Sequence, residues 1–304
     1  MADAASPKNP TSGRKTGPDP KVEKSKLLAA VRSSQYALKY APDWLKEDKD
    51  VALAAVKFDG WALQDVAESL RADKDVVLAA AKKGGASLQF AAAPLKDDKD
   101  VAMAAVRQNP YAIQYVGKAL LDDKEFMTFA VKRDGTALKY ASTKVRMDKD
   151  VALAAVKRNG LALQYVSTVL QGDKQVVITA IKQNPDAFQD VAGDLRDNKD
   201  FLTVAIKQYG WILRHASEAV RGDKEFMAKA LKENGMALRY AVPALQADKD
   251  VVMVAVSSDG MALQYASEDL RSDREVVEAA VRNTKKASAF AGAVDRIKEM
   301  FGLG

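Results

Sequence analysis

A period of 25 residues runs along nearly the whole chain and constrains its fold more than any other feature. The pair Asp-Lys recurs on this period at residues 48, 73, 98, 123, 148, 173, 223 and 248. Asn198-Lys199 and Asp273-Arg274 stand in the same register with one substitution each. Periods of this length are typical of repeat arrays, in which each repeat buries its apolar face against its neighbours. The sequence therefore predicts a solenoid of stacked repeats.

The residues inside one repeat indicate two helices joined by a short hinge. With Asp148 as position 1, that Asp favours a helix N-cap, and apolar residues at positions 4, 5, 8 and 9 form one helical face. Positions 12 and 13 read Asn or Asp followed by Gly or Pro, as in Asn159-Gly160 and Asn184-Pro185, which indicates the cap of a second helix. Prolines at positions 20–22 predict that this helix ends near position 19, before a short turn that returns position 23 to the core. We therefore predict an all-α fold, an α-solenoid of tandem 25-residue helix–turn–helix repeats.

Two other architectures share a similar period. One continuous supercoiled helix is arithmetically possible, because 25 residues make roughly seven helical turns. Repeated Gly and Pro at position 13 oppose that interpretation. A leucine-rich repeat has about 20–29 residues and needs an alternating L-x-L strand. Positions 14–19 of the Asp148 repeat read L-A-L-Q-Y-V, which alternates only loosely, so the leucine-rich repeat stays as the alternative.

The composition changes at both ends of the array. Residues 1–21 are rich in Pro, Gly, Ser, Thr and Lys, which predicts a disordered N-terminal arm. Residues 22–290 contain eleven registers of the repeat without an insertion. Residues 291–304 carry apolar side chains at helical spacing, and we predict a C-terminal capping helix there, because arrays need to cover their exposed end.

Composition and charge exclude several classes of function. The chain has no cysteine, so we expect neither disulfides nor thiolate metal sites. The N-terminus lacks the apolar core of a secretory signal, and no apolar run approaches the ~20 residues of a membrane span. We therefore expect an intracellular, cytoplasmic protein without a transmembrane segment. The net charge is +6, but acids and bases interleave along the array, which disfavours a nucleic-acid partner.

One repeat resembles a catalogued family. The string DKDVALAAVKRNGLALQYVS, residues 148–167, is similar to the repeat known as domain of unknown function 4116. Its elements are an Asp-Lys-Asp/Glu opening, an Asn/Asp-Gly midpoint and an Ala-Leu-Gln-Tyr-Ala segment, as in Asp248–Asp250, Asp259-Gly260 and Ala262–Ala266. The resemblance covers about residues 23–290, and the repeats that begin at residues 198 and 273 depart most from the pattern. It brings no catalytic residues, because the family is defined by its pattern.

No set of residues indicates catalysis, a metal or a cofactor. The single histidine, His215, occupies position 18, where most repeats have Tyr, and we interpret it as a partly buried packing residue. Carboxylates recur in nearly every repeat, whereas a catalytic pair is expected to be unique. We therefore expect a protein that is not an enzyme.

Position 14 is the candidate partner-binding position, because it is often large and apolar yet varies between repeats. Trp, Tyr and Met are enriched at protein interfaces. The candidate residues are Trp61, Tyr111, Leu161, Trp211, Met236 and Met261. Burial at the edge of the core is the alternative interpretation. The leading hypothesis is a non-enzymatic protein–protein interaction scaffold, acting with an unnamed protein partner or within a larger assembly.

Position 2 supports the alternative hypothesis. It is Lys or Arg in every repeat, which suggests a weak nucleic-acid or polyanion binder that uses this Lys ridge and the basic N-terminal arm. An acid neighbours almost every one of these cations. We therefore favour a surface ladder of ion pairs, formed with position 3 or with the preceding repeat.

Overall fold

The computed structural model describes residues 19–34 and 36–286, and every regular element in those ranges is a helix. The protein is an all-α solenoid, as the repeat predicted. Residues 1–18 of the predicted arm and the capping helix predicted at 291–304 lie outside the described residues. The first helix begins at Pro20, inside the segment predicted as the arm, because the Asp19 carboxylate caps it by accepting from the Lys21 amide at 2.9 Å.

Each full repeat contains three helical pieces. Positions 2–11 form a long α-helix, positions 13–18 a 3-10 helix and positions 21–24 a short α-helix, as in Lys149–Arg158, Gly160–Tyr165 and Thr168–Gln171. We number the long helices α1 to α11, with bounds Pro20–Ala30, Lys49–Phe58, Lys74–Lys83, Lys99–Gln108, Lys124–Arg133, Lys149–Arg158, Lys174–Gln183, Lys199–Tyr209, Lys224–Glu233, Lys249–Ser258 and Arg274–Lys286.

The shorter pieces follow the same register. The 3-10 helices are Gly60–Asp65, Gly85–Phe90, Pro110–Tyr115, Gly135–Tyr140, Gly160–Tyr165, Pro185–Asp190, Gly210–His215, Gly235–Tyr240 and Gly260–Tyr265. The short α-helices are Asp43–Lys46, Glu68–Arg71, Ala93–Lys96, Lys118–Leu121, Thr143–Arg146, Thr168–Gln171, Gly193–Arg196, Glu218–Arg221, Pro243–Gln246 and Glu268–Arg271.

Two caps set the boundaries of each repeat. The Asp148 carboxylate accepts from the amides of Asp150 at 3.0 Å and Val151 at 3.1 Å, which starts α6. Asn159 ends α6 in an extended conformation, and its side chain accepts from the Leu161 amide at 3.1 Å. The predicted caps at positions 1 and 12 are therefore present in this repeat, although position 12 makes no side-chain cap bond at Gly84, Tyr209 or Asn234. The predicted second helix is a 3-10 helix, and an extended residue at position 19, Val166, separates it from the short helix.

The core lies between the three pieces of each repeat and those of its neighbours. Val151, Ala152, Ala155 and Val156, at positions 4, 5, 8 and 9 of the long helix, are fully buried. Position 23 returns to the core as predicted, with Leu170 only 9% exposed. Backbone bonds also link repeats, since the position-20 amide donates to the position-24 carbonyl of the repeat before it.

Glycine at position 13 allows the next long helix to approach closely. A Cβ added to Gly60 would lie 2.7 Å from the Ala80 carbonyl oxygen and 2.8 Å from the Gly84 amide nitrogen, on the following repeat. Ordinary contact begins at 3.4 Å. The backbones therefore meet at positions 8 and 13, which explains why position 8 is Ala in every repeat.

The chain divides into two compact units, Met1–Leu120 and Leu121–Gly304. In the first unit, α1 to α4 pack side by side in chain order, and so do the 3-10 helices. In the second unit, α5 packs on α6 and α6 on α7, and a second run extends from α8 to α11.

One junction of the second unit, which we call the α7–α8 joint, departs from this packing. α7 and α8 pack less closely than the other neighbouring long helices of that unit. Pro185 occupies position 13 there, so ring carbons stand where glycine admits the next helix. The Ser217 amide donates to the Asp197 carboxylate at 2.7 Å, in place of the usual carbonyl of the preceding repeat. The loosened packing therefore coincides with the loss of glycine at this position.

Candidate partner-binding surfaces

The position-2 lysines form a ladder of ion pairs between repeats. Lys49 Nζ lies 2.8 Å from both the Asp73 and the Asp75 carboxylates, which are positions 1 and 3 of the next repeat. In the second unit, Lys124 binds Asp148 and Asp150 in the same way, also at 2.8 Å. The predicted surface ladder is therefore present, although these lysines pair with the following repeat rather than with position 3 of their own repeat or with the preceding one.

The ladder changes the electrostatics of this edge. The Lys49 ammonium, followed by two amide hydrogen bonds, holds the pKa of the Asp73 carboxyl below its usual value. The hydrogen bonds that Lys49 donates to Asp73 and then to Asp75 raise the pKa of Lys49. Two acids share each such lysine, so this edge is not a free cationic ridge. That arrangement weighs against the alternative hypothesis, because an anionic partner would first have to displace the acids.

The ladder is interrupted beside the α7–α8 joint. Asn198 replaces the position-1 acid that would face Lys174, and Lys174 has no ion pair among the described residues. Lys149 keeps Asp173 at 2.8 Å, but Gln175 stands where its second acid would be. The same junction that has lost close helix packing has therefore also lost the ladder pair of Lys174.

Position 14 lies on the layer of 3-10 helices and forms what we call the stripe. Each of the predicted residues is the second residue of its 3-10 helix. The position-12 side chain accepts from its amide at Trp61, where Asp59 is the acceptor at 3.0 Å, but makes no such bond at Trp211 or Met236. Neighbouring 3-10 helices contact each other within each unit, so stripe residues of successive repeats share one layer. The first unit carries Trp61 and Tyr111 of the predicted set, and the second carries Leu161, Trp211, Met236 and Met261.

The stripe is most exposed in the first unit. Tyr111 is 69% exposed and Trp61 is 45% exposed. Trp61 packs edge-on against Phe90, with ring centroids 5.5 Å apart. It also borders a groove of about 480 Å³ that Tyr36 closes on the other side. Tyr36 is itself 60% exposed and was not among the predicted site residues, although its place in the position-14 column was the signal that could have included it.

In the second unit the stripe residues are half-buried, and Trp211 belongs to a polar cluster. The Arg214 guanidinium lies over the Trp211 ring, 4.9 Å from its centroid, and 3.6 Å from the Asp186 carboxylate. Arg214 Nε also donates to His215 Nε2 at 2.7 Å. Sequence reasoning missed Arg214, because a lone arginine carries no signal until its neighbours are known.

His215 is a half-buried packing residue, as its register indicated. Its ring lies between Phe188 and Trp211, with centroids 5.9 Å and 6.2 Å away. Burial, followed by the neighbouring Arg214 and Arg196 charges, lowers the pKa of His215. Its Nε2 accepts a hydrogen bond, so the imidazole is neutral in this arrangement. The described part of the chain contains no cluster of three potential metal ligands.

The three-piece repeat, the paired ladder and the exposed stripe define an all-α repeat protein of the helical solenoid class. The sequence matches the family described as domain of unknown function (DUF4116) over residues 25–71, 73–121, 123–171, 173–221, 223–264 and 248–292. The chain belongs to this family, and most matches span two of the repeats defined above.

No curated protein and no solved structure matches the chain. Among the described residues, no helix is both long and apolar enough to cross a membrane.

Proposed function

We propose that the protein is a non-enzymatic scaffold for protein–protein interaction, and that it recruits partners through the stripe. One observation supports this most directly: two large aromatic side chains, Trp61 and Tyr111, stand exposed at the same register on the first and third 3-10 helices of the first unit. Exposed Trp and Tyr at regular places are typical of binding anchors, because each offers a large apolar area at a low cost in conformational entropy.

Two features support a role in binding rather than catalysis. The carboxylates of the ladder are committed to caps and to neighbouring lysines, so they are not arranged as an acid–base pair. The stripe varies in side chain from repeat to repeat, whereas the ladder and the buried positions recur. Variation at an exposed position on a regular frame gives each repeat its own contact chemistry, which suits recognition of an extended protein surface.

Affinity capture from native lysate tests the proposal with two matched variants of the full chain. Trp61→Ala with Tyr111→Ala removes one Trp and one Tyr from the stripe. The control, Tyr40→Ala with Trp44→Ala, removes the same two residue types from outside the stripe, where Tyr40 is 80% exposed and Trp44 is 43% exposed. We expect the stripe variant to lose captured proteins at least tenfold and the control to retain them, with circular dichroism confirming that both fold. Equal recovery with both variants would remove the stripe from the proposal.

The polyanion hypothesis is tested separately by fluorescence anisotropy with a short oligonucleotide at two salt concentrations. Charge-driven binding weakens steeply with salt. Since the ladder lysines are already paired, we expect no salt-sensitive binding.

A further inference from the structure

A second surface lies on the long helices of the first unit. Position 6 of α1 to α4 forms a continuous apolar row, which we call the position-6 row. Its members are half-buried and consist of Leu28, Leu53, Leu78 and Met103. The four helices contact one another in chain order, so the row crosses them without a gap. In the second unit the same register includes Thr128, Thr203 and Glu278, so an unbroken apolar row is confined to the first unit.

Opposite charges border the row on its two sides. At position 10, Arg32, Lys57 and Lys82 are exposed, and they have no ion pair among the described residues. At position 3, carboxylates such as that of Asp50 are held by the ladder lysines of the preceding repeat. The cationic side therefore carries charges free to bind, whereas the acidic side has two carboxylates for each lysine and keeps a net negative charge.

A groove opens in this surface between α1 and α2. It measures about 600 Å³, and Leu28, Leu53 and Ala54 form its apolar part. Arg32 and Lys57 line its basic side, while Asp50 lines the other. The row is thus recessed at Leu28 and Leu53, which favours an occupant with protruding apolar side chains.

The dimensions fit an α-helix that crosses the long helices. Positions 3 and 10 are seven residues apart, or about 10.5 Å along a helix, which matches the roughly 10–12 Å width of a helix with its side chains. Neighbouring packed helices lie about 8–10 Å apart. A crossing helix advances about 10.5 Å in seven residues, so apolar residues spaced by seven meet successive members of the row.

We infer that the position-6 row binds an amphipathic helix of a protein partner, with acidic residues along the edge that faces position 10. This deepens the proposed scaffold function and rests on it. The chain's own residues 1–18 have the wrong charge for this place, because they carry Lys8, Arg14 and Lys15 against Asp3 alone. A nucleic acid would set its phosphates against the carboxylates at position 3 as well as the cations at position 10, so charge favours the helix.

Two synthetic peptides and the full chain test the inference. Both peptides are fluorescein-labelled helices of about 24 residues, long enough to cross four helices at the spacing above. Both peptides have the same apolar face and the same Gln residues along one of its edges. Along the other edge, one peptide has Glu and the other has Lys. By anisotropy, we expect the Glu-edged peptide to bind at least tenfold more tightly than the Lys-edged peptide.

Charge reversal locates the site. The double variant Lys57→Glu with Lys82→Glu should bind the Glu-edged peptide at least tenfold more weakly than the parent chain does, and should bind the Lys-edged peptide more tightly than the Glu-edged one. The matched control is Lys132→Glu with Lys157→Glu, which makes the same change at position 10 of α5 and α6, beside Thr128. It should change affinity less than threefold.

Three results overturn the inference: failure of both peptides to bind, equal affinity for the two, or equal weakening by the control. Tighter binding of an oligonucleotide of similar length would assign the surface to nucleic acid instead. Loss of peptide binding while Trp61 and Tyr111 still govern capture from lysate would leave the scaffold proposal standing without this surface.

Discussion

Replacement of Gly60 by Ala tests the packing rule on which the whole array depends. A Cβ at this position would lie 2.7 Å from the Ala80 carbonyl oxygen, so an ordinary contact of 3.4 Å requires the neighbouring backbones to separate by about 0.7 Å. The Ala80 oxygen and the Gly84 amide nitrogen that the Cβ would meet both belong to the backbone, so no flexible side chain can move aside. Overpacking of a tight interior costs about 1–3 kcal/mol. Elsewhere in proteins the same exchange often stabilises by about 0.4–1 kcal/mol, because it restricts the unfolded chain.

We therefore expect Gly60→Ala to lower the free energy of unfolding by about 1–3 kcal/mol. Urea titration followed by circular dichroism and by tryptophan fluorescence measures this change. The two probes are needed together, because repeat arrays do not always unfold in one step.

Gly84→Ala is the matched control, since Gly84 faces Gly60 across the same junction. A Cβ at Gly84 would meet only the Gly60 Cα, at 3.8 Å, which is an ordinary contact. We expect its stability to be unchanged or raised by up to about 1 kcal/mol. Close backbone approach is not the reason for glycine at this position if Gly60→Ala is as stable as the parent chain, or if the two variants lose stability equally.

Three further predictions concern the second unit and the ladder. Pro185→Gly should let α8 approach α7, raising amide protection in α8 in hydrogen exchange, and unchanged protection would show that the proline does not cause the joint. Burial raises the pKa of Asp190, and the Arg196 charge opposes this rise. Asp190→Asn should therefore raise the urea midpoint of unfolding at pH 7, and this gain should disappear below pH 3.8, where the carboxyl is protonated in the unfolded chain as well. A gain that does not depend on pH would contradict this prediction. Because the pKa of Asp73 is lowered and that of Lys49 is raised, the ladder stabilises the folded protein between pH 3.8 and 10.5 and less outside those limits. Lys49→Met should therefore reduce the loss of unfolding free energy at acid pH in a stability–pH curve.

The sequence predicted those features that depend on residues close together in the chain. The cap at Asp148 and the end of α6 at Asn159 follow from side chains that bond to amides two or three residues away. The buried positions of the long helix follow from its period. The 3-10 geometry of Gly160–Tyr165 was not predictable, because the i→i+3 hydrogen bonds of this segment depend on its packing against the next repeat.

The candidate surfaces were only partly predictable. Position 14 could be recognised from its variation, but the register does not show that Trp61 stands exposed while Arg214 covers Trp211. Position 2 looked like a cationic ridge, and only the distances show that Lys49 is already bound by two acids of the next repeat. The outcome at position 2 depends on contacts between repeats, which the sequence of a single repeat does not reveal.

The same contacts separate the side chains that build the array from those free to bind. Asp73 serves as a cap and as a partner of Lys49, so substituting it would damage folding before it revealed a function. Lys57 at position 10 and Tyr111 at position 14 have no comparable structural task, since Lys57 has no ion pair among the described residues and the ring of Tyr111 is largely exposed. Their substitution removes contact chemistry while the caps, the ladder and the glycine junctions remain. Loss of binding in such variants can therefore be attributed to the surface itself, which makes these two positions the most informative places to search for a partner.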